Sequence, residues 1–324
     1  MAFACRSRQG VAVVVAILAP LLHAFDSATV SDEDAVAQFP YLQRRPQCAG
    51  ARSGSEFADF PSKVLHQIWW QGGEDLPAHF VSLRASWQKH HPVWQHKLWD
   101  RAAITALVNS EPYQWFAPTF HALPANIQRV DAARYIILHA EGGVYADVDI
   151  EALRSFDEVI DAEETRSSVQ FFEEPATYWS AHAVILSNGL IAAPRAHPLM
   201  LRLLQRIKPV SEVFKSGGSH MLQAELQRCM ADEEEMAGEK QSVLKAGSGT
   251  TKMAPCGCYV TKSSEQFFPL HDGLRRPGEF DHPRSHADTV EALADDTQSG
   301  RWPPAGAYSV QYYTSARICT LLRR

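Results

Sequence analysis

Between Asn126 and Glu151 the chain reads NIQRVDAARYIILHAEGGVYADVDIE, and no other stretch constrains the fold as strongly. Ile127, Val130, Ile137 and Leu138 recur at helical spacing. Ala132, Ala133, Tyr135 and Ile136 fill most of the remaining circumference, which predicts a helix buried on most sides. Charge inside such a helix needs a partner. Asp131 and Arg134 stand three residues apart on one face, where they can pair or reach one polar ligand together. Gly142 follows the last periodic residues and fits a helix-ending left-handed position. Past the Gly142-Gly143 break the period falls to two. Val144, Ala146, Val148 and Ile150 form one face and Tyr145, Asp147 and Asp149 the other, which predicts one strand with carboxylates at its C-terminal end. On an extended strand those carboxylates lie about 7 Å apart, and they repel unless a cation or hydrogen-bond donors sit beside them. Hard oxygen ligands suit Mn²⁺ or Mg²⁺ that stays partly hydrated and also holds phosphate oxygens. A diphosphate-bearing substrate follows as the expectation.

A bare D-x-D arises by chance in many chains. The longer string D-x-x-R-Y-x-x-L-x-x-x-G-G-x-Y-x-D-x-D, from Asp131 to Asp149, is more specific. It resembles the core signature of the DXD-containing sugar transferases of glycosyltransferase family 32. That family includes Golgi α-mannosyltransferases and inositol-phosphoceramide mannosyltransferases, and a similar segment occurs in glucosylating toxins. The resemblance covers residues 61 to 205 well and the remainder weakly. It implies an α/β fold of the GT-A type, Rossmann-like, with a mostly parallel central sheet flanked by helices. It implies Asp147 and Asp149 as metal ligands for Mn²⁺ or Mg²⁺. Asp131 and Arg134 would orient the donor sugar and neutralise its diphosphate, and Gly143 and Tyr145 belong to the same matched string.

Elsewhere the matches are shorter. His66-Gln67-Ile68-Trp69 resembles the family's opening strand, which touches the donor's nucleotide base, so Ile68 and Trp69 are nucleotide candidates. Trp69 is equally a packing residue, since a large flat indole serves either purpose. Asn188, in SNGLIAAPRAHPLM, corresponds to a sugar-facing Asn of the family, and equally reads as a turn residue before Gly189. Gly217, in Ser216-Gly217-Gly218-Ser219, stands where the family carries a small-residue loop, and backbone N–H groups there could meet phosphate or acceptor oxygens. Near the C-terminus the family shows a His completing the metal shell and then Ser-Trp. Here Gln311 occupies the His position and no Trp follows Ser315. Gln311 could coordinate through its carbonyl oxygen, His271, His282 or His286 could substitute, or the metal could keep an extra water.

Around this centre the pattern alternates. Lys63 to Trp70 reads as a first strand, Pro77 to His90 as a helix with Phe80, Leu83 and Trp87 inward, and Val93 to Trp99 as a second strand ending at Asp100. RAAITALVNS follows as a helix, and Tyr113 to Leu123 as an aromatic layer beneath the central helix. After the D-x-D come a short helix at Phe156 to Ile160, strands at Val169 to Phe172 and Ala183 to Ala192, and a helix from His197 to Lys208. Alternation of this kind predicts ligands at the carboxyl ends of the strands. The absence of G-x-G-x-x-G after the first strand argues against a nicotinamide dinucleotide. Residues 236 to 257 read as an exposed loop.

A net charge of −6 and a pI near 6.2 argue against a nucleic-acid partner, because no basic stripe is available to neutralise phosphates. Arg6 and Arg8 precede the apolar run Val11 to Phe25, which reads as a signal peptide or signal anchor at residues 1–25. A turn-rich stem at 26–60 and a transferase domain at 61–324 follow. This organisation predicts the secretory pathway and a Golgi-lumenal enzyme, single-pass or secreted. One of the six cysteines, Cys5, falls in the targeting segment, and the pairing of the others cannot be read from spacing. The partners expected are a GDP-mannose or UDP-hexose donor and a glycan or glycolipid acceptor. A lumenal sugar-nucleotide or glycan-binding protein without turnover is the alternative, motivated by Gln311 and the missing Ser-Trp.

Overall fold

The computed structural model describes residues 62–161, 167–174, 185–239, 256–257, 259–262, 267 and 307–311. The targeting segment, the stem, His271, His282, His286 and the cysteines Cys5, Cys48, Cys258 and Cys319 lie outside the described residues. No described helix is long and apolar enough to cross a membrane.

In chain order the elements are β1 (Val64–Ile68), α1 (Ala78–His90), β2 (Gln95–Trp99), α2 (Arg101–Val108), α3 (Ala117–Ala122), α4 (Asn126–Glu141), β3 (Gly143–Ala146), β4 (Ile150–Ala152), α5 (Asp157–Ile160), β5 (Val169–Glu174), β6 (Ile185–Ala193), α6 (Pro198–Arg206), α7 (Val213–Ser216), α8 (Ser219–Glu239), β7 (Tyr259–Lys262) and β8 (Ser309–Gln311). Six strands form one sheet in the order β2-β1-β3-β6-β5-β7. The β1 strand pairs in parallel with β2 and β3, and β5 with β7, whereas β6 runs antiparallel to both of its neighbours. The sheet is therefore α/β and mixed, parallel for most of its pairings.

The central helix forms as the spacing predicts. Every residue of α4 from Val130 to Leu138 is buried, and its apolar atoms join those of α2, α3, α6, α8 and one sheet face in a single core. No side chain at position 125 can cap this helix, so Gln128 Oε1 reaches back to the Ala125 N–H at 2.9 Å. Gly142 ends it at φ 67°. At Gly143, φ is 101° and an added Cβ would stand 2.5 Å from the Val64 carbonyl oxygen. Glycine there lets β3 lie beside β1, which sets where the carboxylates emerge.

Two buried histidines hold the connections. His66 Nε2 donates to the Gly142 carbonyl at 2.8 Å, and its Nδ1 accepts from the Trp99 indole at 3.1 Å. His91 Nδ1 donates to Trp87 O at 3.0 Å and its Nε2 accepts from the Phe156 N–H at 2.8 Å. Each ring uses one nitrogen as donor and the other as acceptor, so both are neutral. Burial pushes both pKa values down from 6.5 to about 4. The folded state thus binds fewer protons than the unfolded one. The stability these rings contribute is complete above pH 6.5 and is lost as pH falls toward 4. NMR of the two ring systems is expected to show neutral imidazoles at pH 5.5, with the unfolding temperature dropping below pH 6.5. A ring protonated in the folded protein at that pH would contradict the assignment.

Two sequence expectations are corrected here. The segment after Gly143 is not one strand, because it turns at Val148-Asp149 before β4 starts. Residues 236 to 239 belong to α8, and Cys256, within the expected exposed loop, is buried and disulfide-bonded to Cys229.

Candidate active site

The turn after β3 results from a conflict between two packing demands. Val144, Ala146 and Ile150 pack on the sheet face with Leu65 and Trp87. Val148 joins a separate cluster of Trp69, Phe80 and Leu83. To satisfy both, the backbone closes a turn in which Ile150 N–H donates to Asp147 O at 3.1 Å. Asp147 therefore follows directly on the strand's last residue, Ala146, and Asp149 sits within the turn. The far side is fastened by α1: Trp87 Nε1 donates to Ile150 O at 2.8 Å, and Ser86 Oγ accepts from Ala152 N–H at 2.9 Å.

Charged and polar side chains from three elements converge at this point. Arg134 on α4 pairs with Asp131 Oδ1 at 2.9 Å, one turn along the same helix. It also stands 3.7 Å from Asp147 Oδ1. Its Nη1 donates to the Asn188 carbonyl, and its guanidinium lies over the Tyr145 ring with 5.0 Å to the centroid. Asn188 Nδ2 donates to Asp131 Oδ1 at 3.0 Å. The Tyr145 hydroxyl donates to Asp147 Oδ1 at 2.6 Å.

Burial separates the roles of these groups. Arg134 is 3% exposed, and Asp147 retains 30%. Arg134 directs both terminal nitrogens at protein oxygens, while its Nε has no acceptor. It holds the Asp147 carboxylate from behind, where adjacent acidic groups and the Tyr145 hydroxyl keep it protonated far above neutral pH despite burial. Burial pushes the Asp131 carboxyl up to about 6, with Arg134 and the Asn188 amide pulling it back, so it is ionised at neutral pH. Asp131 and Asp147 thus share one guanidinium, and the charge left over is negative.

Gly189 explains how Asp147 is aimed. Its carbonyl accepts from the Asp147 N–H at 2.7 Å, and an added Cβ would stand 2.6 Å from Asp147 Oδ2. The sequence pattern did not single out this glycine, although its place directly after Asn188 was a usable signal. Gly189→Ala is expected to leave the fold intact and reduce turnover by about 100-fold through carboxylate displacement. Steady-state kinetics alongside circular dichroism checks it, and unchanged kcat would show the contact to be unimportant.

The remaining expected residues divide. Tyr145 and Asn188 belong to the cluster. Ile68 points into the core shared with α4, and its backbone pairs with Trp99 of β2. Trp69 is 4% exposed and tilted on Phe80 at 5.3 Å, under Val148, with its indole N–H lacking an acceptor. Gly217 lies against Asp131, with its carbonyl accepting from the Tyr135 hydroxyl at 2.9 Å. Gln311 pairs through its backbone with Ile150, the residue that follows Asp149, in the β4–β8 ribbon. Asp149 itself is buried, at 3% exposure.

Among the described residues no group of three His, Cys, Asp or Glu side chains is placed to hold a metal ion. Hard divalent cations are commonly held by one or two carboxylates plus substrate phosphates, and of the two acidic residues Asp147 keeps a partly exposed carboxylate whereas Asp149 is buried.

Residues 77–166 match the family described as the glycosyltransferase sugar-binding region containing the DXD motif. Over 148 residues the chain is 34% identical to inositol phosphoceramide mannosyltransferase 1 of Schizosaccharomyces pombe, covering 45% of this chain and 42% of that one. Over 190 residues it is 26% identical to the initiation-specific alpha-1,6-mannosyltransferase of Candida albicans, covering 54% and 46%. The matched region therefore spans less than half the length of these relatives. The solved PaToxG glycosyltransferase aligns at 15% identity and a TM-score of 0.39, over 68% of this chain and 91% of that one.

Proposed function

We propose, from the premise that residues 77–166 form a glycosyltransferase sugar-binding region with a DXD motif, that the chain transfers a hexose from a nucleotide diphosphate sugar to a glycan or glycolipid acceptor. The observation that carries the reading is the convergence of Asp131, Arg134, Tyr145, Asp147 and Asn188 at the carboxyl end of a strand in a largely parallel sheet, where ligands of α/β proteins bind. Mannose is the first donor sugar to test, because both yeast relatives are mannosyltransferases by name.

Departure of a nucleoside diphosphate develops negative charge on its β-phosphate oxygen. A Mn²⁺ or Mg²⁺ ion held by Asp147 and Asp149 would supply Lewis-acid neutralisation of that charge. The chain's own residues prepare the site. Tyr145 and Arg134 fix one oxygen of Asp147, and Gly189 leaves room for the other. Asp131, held between Arg134 and Asn188, would help orient the donor sugar. No carboxylate identifies itself as a covalent nucleophile, so front-face attack by the acceptor hydroxyl, with retention at the anomeric carbon, is the reading adopted.

The Cys229–Cys256 disulfide supports an oxidising compartment, in line with a secretory-pathway enzyme. The test is incubation of the purified protein with Mn²⁺ and a panel of GDP- and UDP-sugars. Release of nucleoside diphosphate, with GDP-mannose the favoured donor, is the expected result. Tight binding of a sugar nucleotide without turnover would replace the enzyme by the binding-protein reading.

A further inference from the structure

The β6 strand loses its register with β5 where it passes the carboxylate cluster. Phe171 of β5 pairs with Ile191, but the next residue, Phe172, pairs with Ser187, so Asn188, Gly189 and Leu190 have no partner on β5. Toward β3 the register holds, with Leu190 opposite Ala146 and the Gly189 carbonyl accepting from the Asp147 N–H at 2.7 Å. The extra residues form a bulge, and bulges beside active sites re-aim side chains. Asn188 sits in the bulge and is partly exposed, whereas Leu186, Ser187 and every residue from Gly189 to Ala193 are buried.

Backbone groups freed inside a core need new partners. The Asn188 carbonyl accepts from Arg134 Nη1, and its side-chain amide donates to Asp131 Oδ1 at 3.0 Å. Gly189 has a different difficulty. Two residues facing each other in an antiparallel ladder can exchange a pair of N–H···O bonds, but the Asp147 carbonyl accepts from the Ile150 N–H at 3.1 Å, closing the turn that holds Asp149. The Gly189 N–H donates to Ser187 Oγ at 3.1 Å. Serine hydroxyls make such bonds to backbone two residues on. Ser187 is 0% exposed, so solvent has no access to replace that hydroxyl.

We propose that Ser187 is a positioning residue of the transfer site: it supplies the acceptor that the turn takes from Gly189, and so fixes the bulge that places Asn188 and Asp147. It acts through its neighbours Asn188 and Gly189. Its effect on turnover rests on the sugar-transferase reading, and its effect on the backbone does not.

The test uses the full chain, with steady-state kinetics and amide hydrogen exchange measured on the same variants. Ser187→Ala removes one oxygen and adds no bulk. It is expected to lower kcat about tenfold through misplacement of the groups around the sugar, with KM for the sugar nucleotide changed less than about twofold. Exchange at the Gly189 and Asp147 amides should quicken while the rest of the β3–β6 ladder keeps its protection. In an Asn188→Ala background the same change should cost a smaller factor in kcat, because residues acting as a unit are not additive. An equal factor in both backgrounds would show that the hydroxyl does not act through Asn188 and would overturn the proposal. Wild-type kcat in Ser187→Ala, even with a lower melting temperature, would reduce the residue to packing. In a wild type that turns over no sugar nucleotide, quickened exchange at Gly189 and Asp147 in Ser187→Ala would leave the positioning standing and remove the enzyme. Unchanged exchange at both amides would overturn the positioning itself.

Discussion

Asp149→Asn is expected to lower sugar-nucleotide turnover by about 10²–10³-fold, the cost of removing one preorganised group that meets transition-state charge. The amide matches the carboxylate in shape but lacks its charge, so the loss should fall on kcat, with the circular dichroism spectrum unchanged. Asp149 is the more buried of the two acidic residues and lies in the turn that Trp87 and Ser86 tie down from behind. The backbone of that turn is held from α1 and the amide keeps the side chain's shape, so the substitution tests the charge. Raising Mn²⁺ should recover part of the activity if the variant binds the ion weakly. Wild-type turnover in Asp149→Asn would remove this residue from the metal assignment, whatever the state of Asp147.

Arg134→Ala carries the largest expected cost in stability. Removing the guanidinium leaves Asp131 buried without its cation and strips Asp147 of its nearest positive charge. Breaking a buried ion pair from one side costs about 3–5 kcal/mol, which corresponds to a fall in melting temperature on the order of 10 °C for a domain of this size. The physical cause is desolvation of an unpaired carboxylate, so neutralising that carboxylate should relieve it. Arg134→Ala combined with Asp131→Asn is expected to melt above Arg134→Ala alone, a coupling that independent sites do not show. A melting temperature for Arg134→Ala within about 2 °C of the wild type would mean that the cluster contributes little to the fold.

Much of this cluster is legible in the amino-acid order alone. Asp131 and Arg134 are charged residues on a helix that is otherwise apolar nearly all round, and burial of such a helix requires that they pair. The Gly142-Gly143 break is equally plain, because only glycine takes the left-handed angles and the close approach to β1 found there. The helices and strands around it follow the change from period 3.6 to period 2.

Asn188 and Gly189 lie more than forty residues along the chain from Asp147, and nothing local states that β6 runs antiparallel beside β3 and brings them to the carboxylates. The turn at Val148-Asp149 is likewise invisible to an alternating pattern. Val148 is apolar in the phase expected of a strand, and only the Trp69, Phe80 and Leu83 cluster draws it out of line. Local spacing determines which residues a segment must bury and where the backbone must bend. Which distant groups then meet is settled by strand order and by the competition among packed clusters for the same side chains.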